Sequence, residues 1–410
     1  MSESLVLSAP AERQRSAFRL SGRPALYLLA SLIVSLLAAS SAPTPLYASY
    51  QRHWGFTPIT TTVVFGVYAV AVLASLLVFG RLSDHTGRRP VLLAALAVQV
   101  VSLVVFATAA GVPDLLAARI IQGVSTGAAL GAIGAGMLDI DRPRGTLANA
   151  VSPGMGSGLG AILSALAVRY LPAPTHLIYL VLLGVIVVQA AGVALMRETA
   201  TRSPGALSSL RPEIRLPRTV RVHILTAAPV VFAVWALAAL YGALGPALVQ
   251  ALSGSANVVF GGLSLTVLTA FAVGAIFALR SAPARTVMLA GIAALVAGVA
   301  VTLLGLTARS TGMFFVGTAI SGIGFGSGFQ GGIRTVVPRV GAHERAGVLS
   351  LLFVVSYLGL GVPAVGAGFL AVHGAGLIGA ARYYGAALIL LAVLALLSLV
   401  RAERKERNRS

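Results

Sequence analysis

At 410 residues, with 57% hydrophobic and 10% charged residues, the chain is too apolar for a soluble protein, whose usual values are roughly 45–50% and about 25%. The absence of cysteine excludes a disulfide framework, thiolate catalysis and Cys-ligated zinc. A formal net charge of +19 would suggest nucleic acid in a soluble chain, but in one of mean hydropathy +0.93 it fits arginines held in cytoplasmic loops and basic ends touching lipid headgroups, so no nucleic-acid partner is expected.

A helix needs about 20 apolar residues to cross a bilayer core of about 30 Å. Residues 1–23 carry four arginines and no apolar run and read as a cytoplasmic basic tail. Uncharged windows then run 24–51, 53–80, 90–113, 120–138, 145–168, 170–196, 222–279, 286–308, 310–333, 346–381 and 383–400. The window 222–279 is too long for one span and contains a polar turn signal, Leu252-Ser253-Gly254-Ser255-Ala256-Asn257. The expectation is therefore an all-α integral membrane protein of twelve spans. Ala38-Ala39-Ser40-Ser41-Ala42 resembles a signal-cleavage site, but the preceding apolar run is longer than a signal core and leads into another span.

With the N-terminus inside, inside segments hold 25 basic residues and outside loops hold Arg52, Arg169, Arg309 and Arg382, with Arg119 inside a span. That bias places both termini in the cytoplasm. Residues 197–222, with six arginines, read as a cytoplasmic linker between a first half (24–196) and a second half (223–400), and 401–410 as a second basic tail. A constant offset of 201 maps Gly123, Gly127 and Gly131 onto Gly324, Gly328 and Gly332, and also Arg144 onto Arg345, Gly158 onto Gly359 and Gly160 onto Gly361. Two six-helix halves in the same orientation are expected, with a substrate site near mid-membrane between them.

The loop after the second window reads Gly80-Arg81-Leu82-Ser83-Asp84-His85-Thr86-Gly87-Arg88-Arg89. It resembles the signature of the major facilitator superfamily between spans two and three, roughly G-x-L-x-D-x-x-G-R-[KR], with Gly80, Leu82, Asp84, Gly87, Arg88 and Arg89 all in place. The resemblance implies a conformational latch: Asp84 capping the start of span eleven, near Gly347, and Arg88 bridging Asp84 to Asp139 or Asp141. Arg119-x-x-Gln122-Gly123 resembles the fourth-span signature whose arginine is linked to proton coupling in drug antiporters, with Asp114 the nearest acid. Ser152-Pro153-x-x-Gly156 resembles, with small-residue departures, the antiporter signature of span five and implies a gating helix. Freed of any family likeness, an ionisable residue inside a span is a functional candidate because burying it is costly.

The glycine ladders of spans four and ten read first as close packing. Tyr47, Gln122, Trp235, Tyr241, Phe329 and Gln330 are the candidate cavity wall, apolar and aromatic with a few hydrogen-bonding groups. Gly322-x-Gly324-x-Gly326-x-Gly328 has no strand before it and is discarded as a nucleotide fingerprint, and no phosphate-binding loop of the G-x-x-x-x-G-K-[ST] type occurs. The reading is a non-enzymatic, proton-coupled secondary transporter of the plasma membrane, exporting an apolar or amphipathic small molecule, monomeric, without cofactor or metal, in contact with substrate, proton and lipid. The alternatives are an uptake or facilitated-diffusion carrier and a receptor or scaffold without flux.

Overall fold

A computed structural model describes residues 19–214, 216, 221–255, 257–341 and 344–407. Most of the N-terminal basic tail, Arg215, Arg218, Ala256, His343 and residues 408–410 lie outside the described residues. The described chain is helical throughout. Span 1 is two segments, Arg23–Ser41 and Pro43–Trp54; spans 2 to 6 are Pro58–Phe79, Arg88–Ala107, Val112–Ile140, Arg142–Tyr170 and Pro174–Ala194. Span 7 joins Arg221–Ala239 to Gly245–Ser253 through a wide π-helical turn at Leu240–Leu244. Spans 8 to 12 are Val258–Ala278, Ala284–Thr307, Thr311–Val336, Arg345–Leu370 and Gly376–Arg407. Among the described residues eleven stretches are long and apolar enough to cross a membrane, spans 11 and 12 together forming one 51-residue stretch, Gly347–Leu397, and the chain is a multi-pass membrane protein.

The polar break in window 222–279 falls where the turn residues put it. Gly254 takes φ +62°, and the Asn257 side chain caps span 8 by accepting from the Val259 amide at 3.1 Å. One boundary differs from the charge-based reading. Spans 11 and 12 part at His373 and Gly374, where φ is −100° and +128°, and not at Arg382, which lies inside span 12. A left-handed glycine stops a helix; a single charge near a helix end does not.

The chain forms two six-helix halves, each with its own apolar core. Within them the glycines correct the register of the internal repeat. A Cβ on Gly123 would lie 2.5 Å from Ala71 Cβ, and one on Gly127 2.5 Å from the Val72 carbonyl, so this ladder packs on span 2. The residues of span 10 that pack the same way on span 8, against Leu268, Phe271 and Ala272, are Gly322 and Gly326. Gly324 and Gly331 press instead on span 9 at Leu295 and Met288. Likewise Gly160 abuts Ala38 of span 1, and Gly359 abuts Phe232 of span 7. The offset that superposes these faces is 199, not 201; two residues turn a helix by about 200° and present the opposite face. Span 10 has glycine at alternate positions, so its sequence matches at either offset.

The halves meet through spans 2 and 11 and through spans 5 and 8. The rim carrying loop 2–3, the linker and the chain ends is called here the basic rim. Tight contacts run from the opposite rim to mid-depth: Gly66 against Val365, Gly262 against Ala165, and Thr266 Oγ1 donating to the Gly158 carbonyl at 3.1 Å. Tyr68, Ala69 and Val72 of span 2 cluster there with Tyr357, Leu360 and Ala364 of span 11. Toward the basic rim, Val348 and Leu352 of span 11 pack on Ile224, Ala227, Val336 and Val340 of their own half.

Candidate functional site: a basic-rim clasp and a buried arginine

At the basic rim, Gly87 adopts φ +102°, a left-handed conformation that lets a one-turn helix (Leu82–Thr86) reverse directly into span 3. That reversal turns Arg88 inward, where it is only 7% exposed. Its guanidinium donates to Ser83 Oγ at 2.8 Å, pairs with the Asp84 carboxylate, and reaches Asp139 at the end of span 4 at 3.2 Å. Asp141 is not part of this cluster. It caps span 5 by accepting from the Arg144 amide at 3.0 Å and pairs with the Arg144 side chain at 3.2 Å. The Asp84 side chain stays 51% exposed.

A residue that no motif marked completes the clasp. Glu198, just past span 6, accepts from the amides of Arg88 at 2.8 Å and Arg89 at 3.0 Å, satisfying the orphan donors at the start of span 3 and placing a carboxylate at its positive end. Thr199 donates to Asp139 at 3.2 Å, His85 contacts Ser203 and the Pro204 carbonyl at 3.0 Å each, and Arg81 pairs with Glu213 at 2.7 Å. The linker is thus stitched to loop 2–3 of the first half. Glu198→Ala should lower the unfolding midpoint of purified protein by the equivalent of about 0.5–2 kcal/mol, the worth of a lost cap. Glu198→Gln keeps an acceptor oxygen and should lose less; equal losses would refute the capping role.

Arg119 lies seven residues into span 4 and is 1% exposed. It does not turn to Asp114, which is about 140° away around the helix and holds the Ala110 amide at 2.8 Å. Its guanidinium donates to Tyr47 Oη at 2.6 and 3.2 Å, to the Ser40 carbonyl at 2.7 Å and to Gln122 Oε1 at 2.7 Å. The Ser40 carbonyl lies next to the break in span 1 between Ser41 and Pro43. Ser164 of span 5 likewise donates to the Ala42 carbonyl at 2.6 Å. The rings of Tyr68, Phe106 and Tyr47 face the guanidinium at 5.2, 5.7 and 5.9 Å.

Trp235 and Phe329 lie together in the second half. The indole packs at 5.6 Å from Phe329, 6.0 Å from Phe325 and 5.4 Å from Tyr357, the last two not singled out by the sequence. Gln330 follows on span 10, its Oε1 buried and without a hydrogen bond within the protein. Tyr241 is turned into the core of its own half, bonded to Thr302 Oγ1 at 2.6 Å and Ser321 Oγ at 3.2 Å. Pro153 sits within span 5; its neighbour Ser152 is buried, and a Cβ on Gly156 would lie 2.5 Å from the Val34 carbonyl of span 1.

Twelve spans in two like halves, meeting around a mid-membrane region, define a membrane carrier. The chain belongs to the Major Facilitator Superfamily, whose sequence profile matches residues 28–283. It is 30% identical over 152 residues to an MFS-type transporter of Aspergillus terreus, a match covering 35% of this chain and 27% of that relative's length. The fold is that of the human organic anion transporter MFSD10 (TETRAN), with TM-score 0.66 and 17% identity over 90% of this chain and 98% of that one. It is likewise that of the nucleoside transporter NupG, with TM-score 0.68 and 14% identity over 91% and 98%.

Proposed function

We propose that the protein exports an amphipathic small molecule across the plasma membrane by alternating access, driven by proton entry, with both termini cytoplasmic and the chain working as a monomer. The observation that carries the reading is the one-sided seal between the halves. Small residues bring spans 2 and 11, and 5 and 8, into contact from the opposite rim to mid-depth, whereas span 11 packs within its own half toward the basic rim. With the basic rim cytoplasmic, this is a carrier closed to the outside and ready to load from within. Rocking the halves would part this seal and bring the half-exposed Asp84 toward the start of span 11, the other state of the latch formed by Gly80, Leu82, Asp84, Gly87, Arg88, Arg89 and Asp139. The Ser152–Gly156 stretch of span 5 would supply the flexing helix, and the Trp235 cluster an aromatic wall that suits an amphipathic cargo. Proton coupling is assigned to Asp114, Arg119 and Gln122 of span 4.

The test is uptake of fluorescent amphipathic dyes by proteoliposomes with the basic rim facing out and an acidic lumen. Accumulation that collapses with a protonophore, and that no longer follows the gradient in Arg119→Ala, is the expected result. Dye movement indifferent to the gradient would favour facilitated diffusion, and the absence of flux for every dye would favour a receptor or scaffold.

A further inference from the structure

The surroundings of Arg119 lack one negative charge. Arginine stays protonated in any protein environment, yet each of its acceptors, Tyr47, the Ser40 carbonyl and Gln122, is neutral. Every Asp and Glu among the described residues lies at a helix end or in a loop. A buried cation held only by dipoles and ring faces is underneutralised, because these replace the hydration shell but not the counter-charge.

An independent observation lies on the same helix face. Gln122 and Thr126 follow Arg119 at i+3 and i+7, so the three side chains form one stripe. The Gln122 amide nitrogen is fully buried and makes no hydrogen bond within the protein, and the equally buried Thr126 hydroxyl has only the Tyr68 hydroxyl in reach. Both can donate. Buried donors short of acceptors, beside an uncompensated cation, are the complement of an oxyanion. Across the seal, the Trp235 indole N–H is also buried without a partner, inside its aromatic cluster. The two places are joined by rings: Tyr68 covers the guanidinium and packs in one cluster with Tyr357, which packs on Trp235.

We infer that the cargo is an amphipathic organic anion. Its carboxylate, sulfonate or phosphate oxygens are read by Arg119, Gln122 and Thr126, and its apolar body lies against the Trp235 cluster. This assignment rests on the carrier reading above and specifies its substrate class.

The experiment measures thermal stabilisation of the purified full-length chain in an uncharged detergent at neutral pH by benzoate, benzenesulfonate, benzylammonium and benzyl alcohol. The two anions should raise the unfolding midpoint at millimolar concentration and the other two should not. Arg119→Gln should weaken the anion effect roughly ten-fold or more, as expected for losing a charged hydrogen-bond partner. Should that variant not purify as a single species, Thr126→Val and Gln122→Leu carry the comparison, each with a smaller weakening confined to the anions. Equal shifts by all four compounds, preference for benzylammonium, no shift with either anion, or an undiminished anion effect in the variants would each overturn the inference. The measurement needs no flux, so anion binding without gradient-driven uptake would sink the coupled-export reading and leave this one standing.

Discussion

In the double variant Gly158→Cys/Thr269→Cys, oxidation should join the halves covalently and bring transport to background, and a reductant should restore it. A Cβ built on Gly158 lies 3.7 Å from Thr269 Cβ, against a mean of about 3.8 Å for disulfides. The two positions belong to spans 5 and 8, on opposite sides of the seal. The chain has no cysteine of its own, so no other disulfide can form and the natural background serves unaltered. Each single-cysteine variant should be insensitive to oxidant. Transport that persists after cross-linking is verified by mass would show that this contact does not open during the cycle, and the one-sided seal would lose its meaning as a gate.

Arg88→Ala should be the most damaging single substitution at the basic rim. It removes the one side chain that gathers Ser83, Asp84 and Asp139. Stranding one side of a buried ion pair costs roughly 3–5 kcal/mol; with Asp139 34% exposed the expectation falls to about 1–2 kcal/mol. Transport should fall at least ten-fold, in line with about 1.4 kcal/mol against one state of the cycle. Asp84→Asn gives the discriminating comparison. It keeps the fold of the loop and the Glu198 cap, so stability should change little while transport drops, because half-exposed Asp84 is the group with somewhere else to go. Normal transport by Asp84→Asn in a normally inserted protein would reduce the clasp to a static brace.

Much of this architecture is written in the sequence, and the parts that are not share a cause. Span number and the two halves follow from apolar length and charge spacing, which are one-dimensional quantities. The motif marks Arg88 and Asp84 but leaves Asp139 and Asp141 as alternatives, and only the geometry of span 4's end selects Asp139. Glu198 carried no signal: its role as a helix cap exists only after span 6 returns beside span 3. Arg119 is marked together with Gln122, and Tyr47 as a cavity residue, but the Ser40 carbonyl carries no signal because a backbone acceptor is chosen only by the packing of span 1 on span 4. Tyr68 and Tyr357 acquire importance only by meeting across the halves. The glycines of span 10 were misregistered by two residues because a run of alternating glycines is degenerate in sequence and becomes directional only when neighbouring helices choose a face. Charge spacing puts the end of span 11 too late, because backbone conformation at His373 and Gly374 decides that boundary.

The stitching of the linker to loop 2–3 sets a mechanical limit on the carrier. Up to Glu213, held by Arg81, the connecting chain travels with the first half. Eight residue steps separate Glu213 from Arg221, where span 7 begins. Fully drawn out, that leash reaches about 26–29 Å. While the Arg81–Glu213 pair holds, the two ends of this stretch cannot separate beyond that length, which limits how far the halves can swing apart at the basic rim.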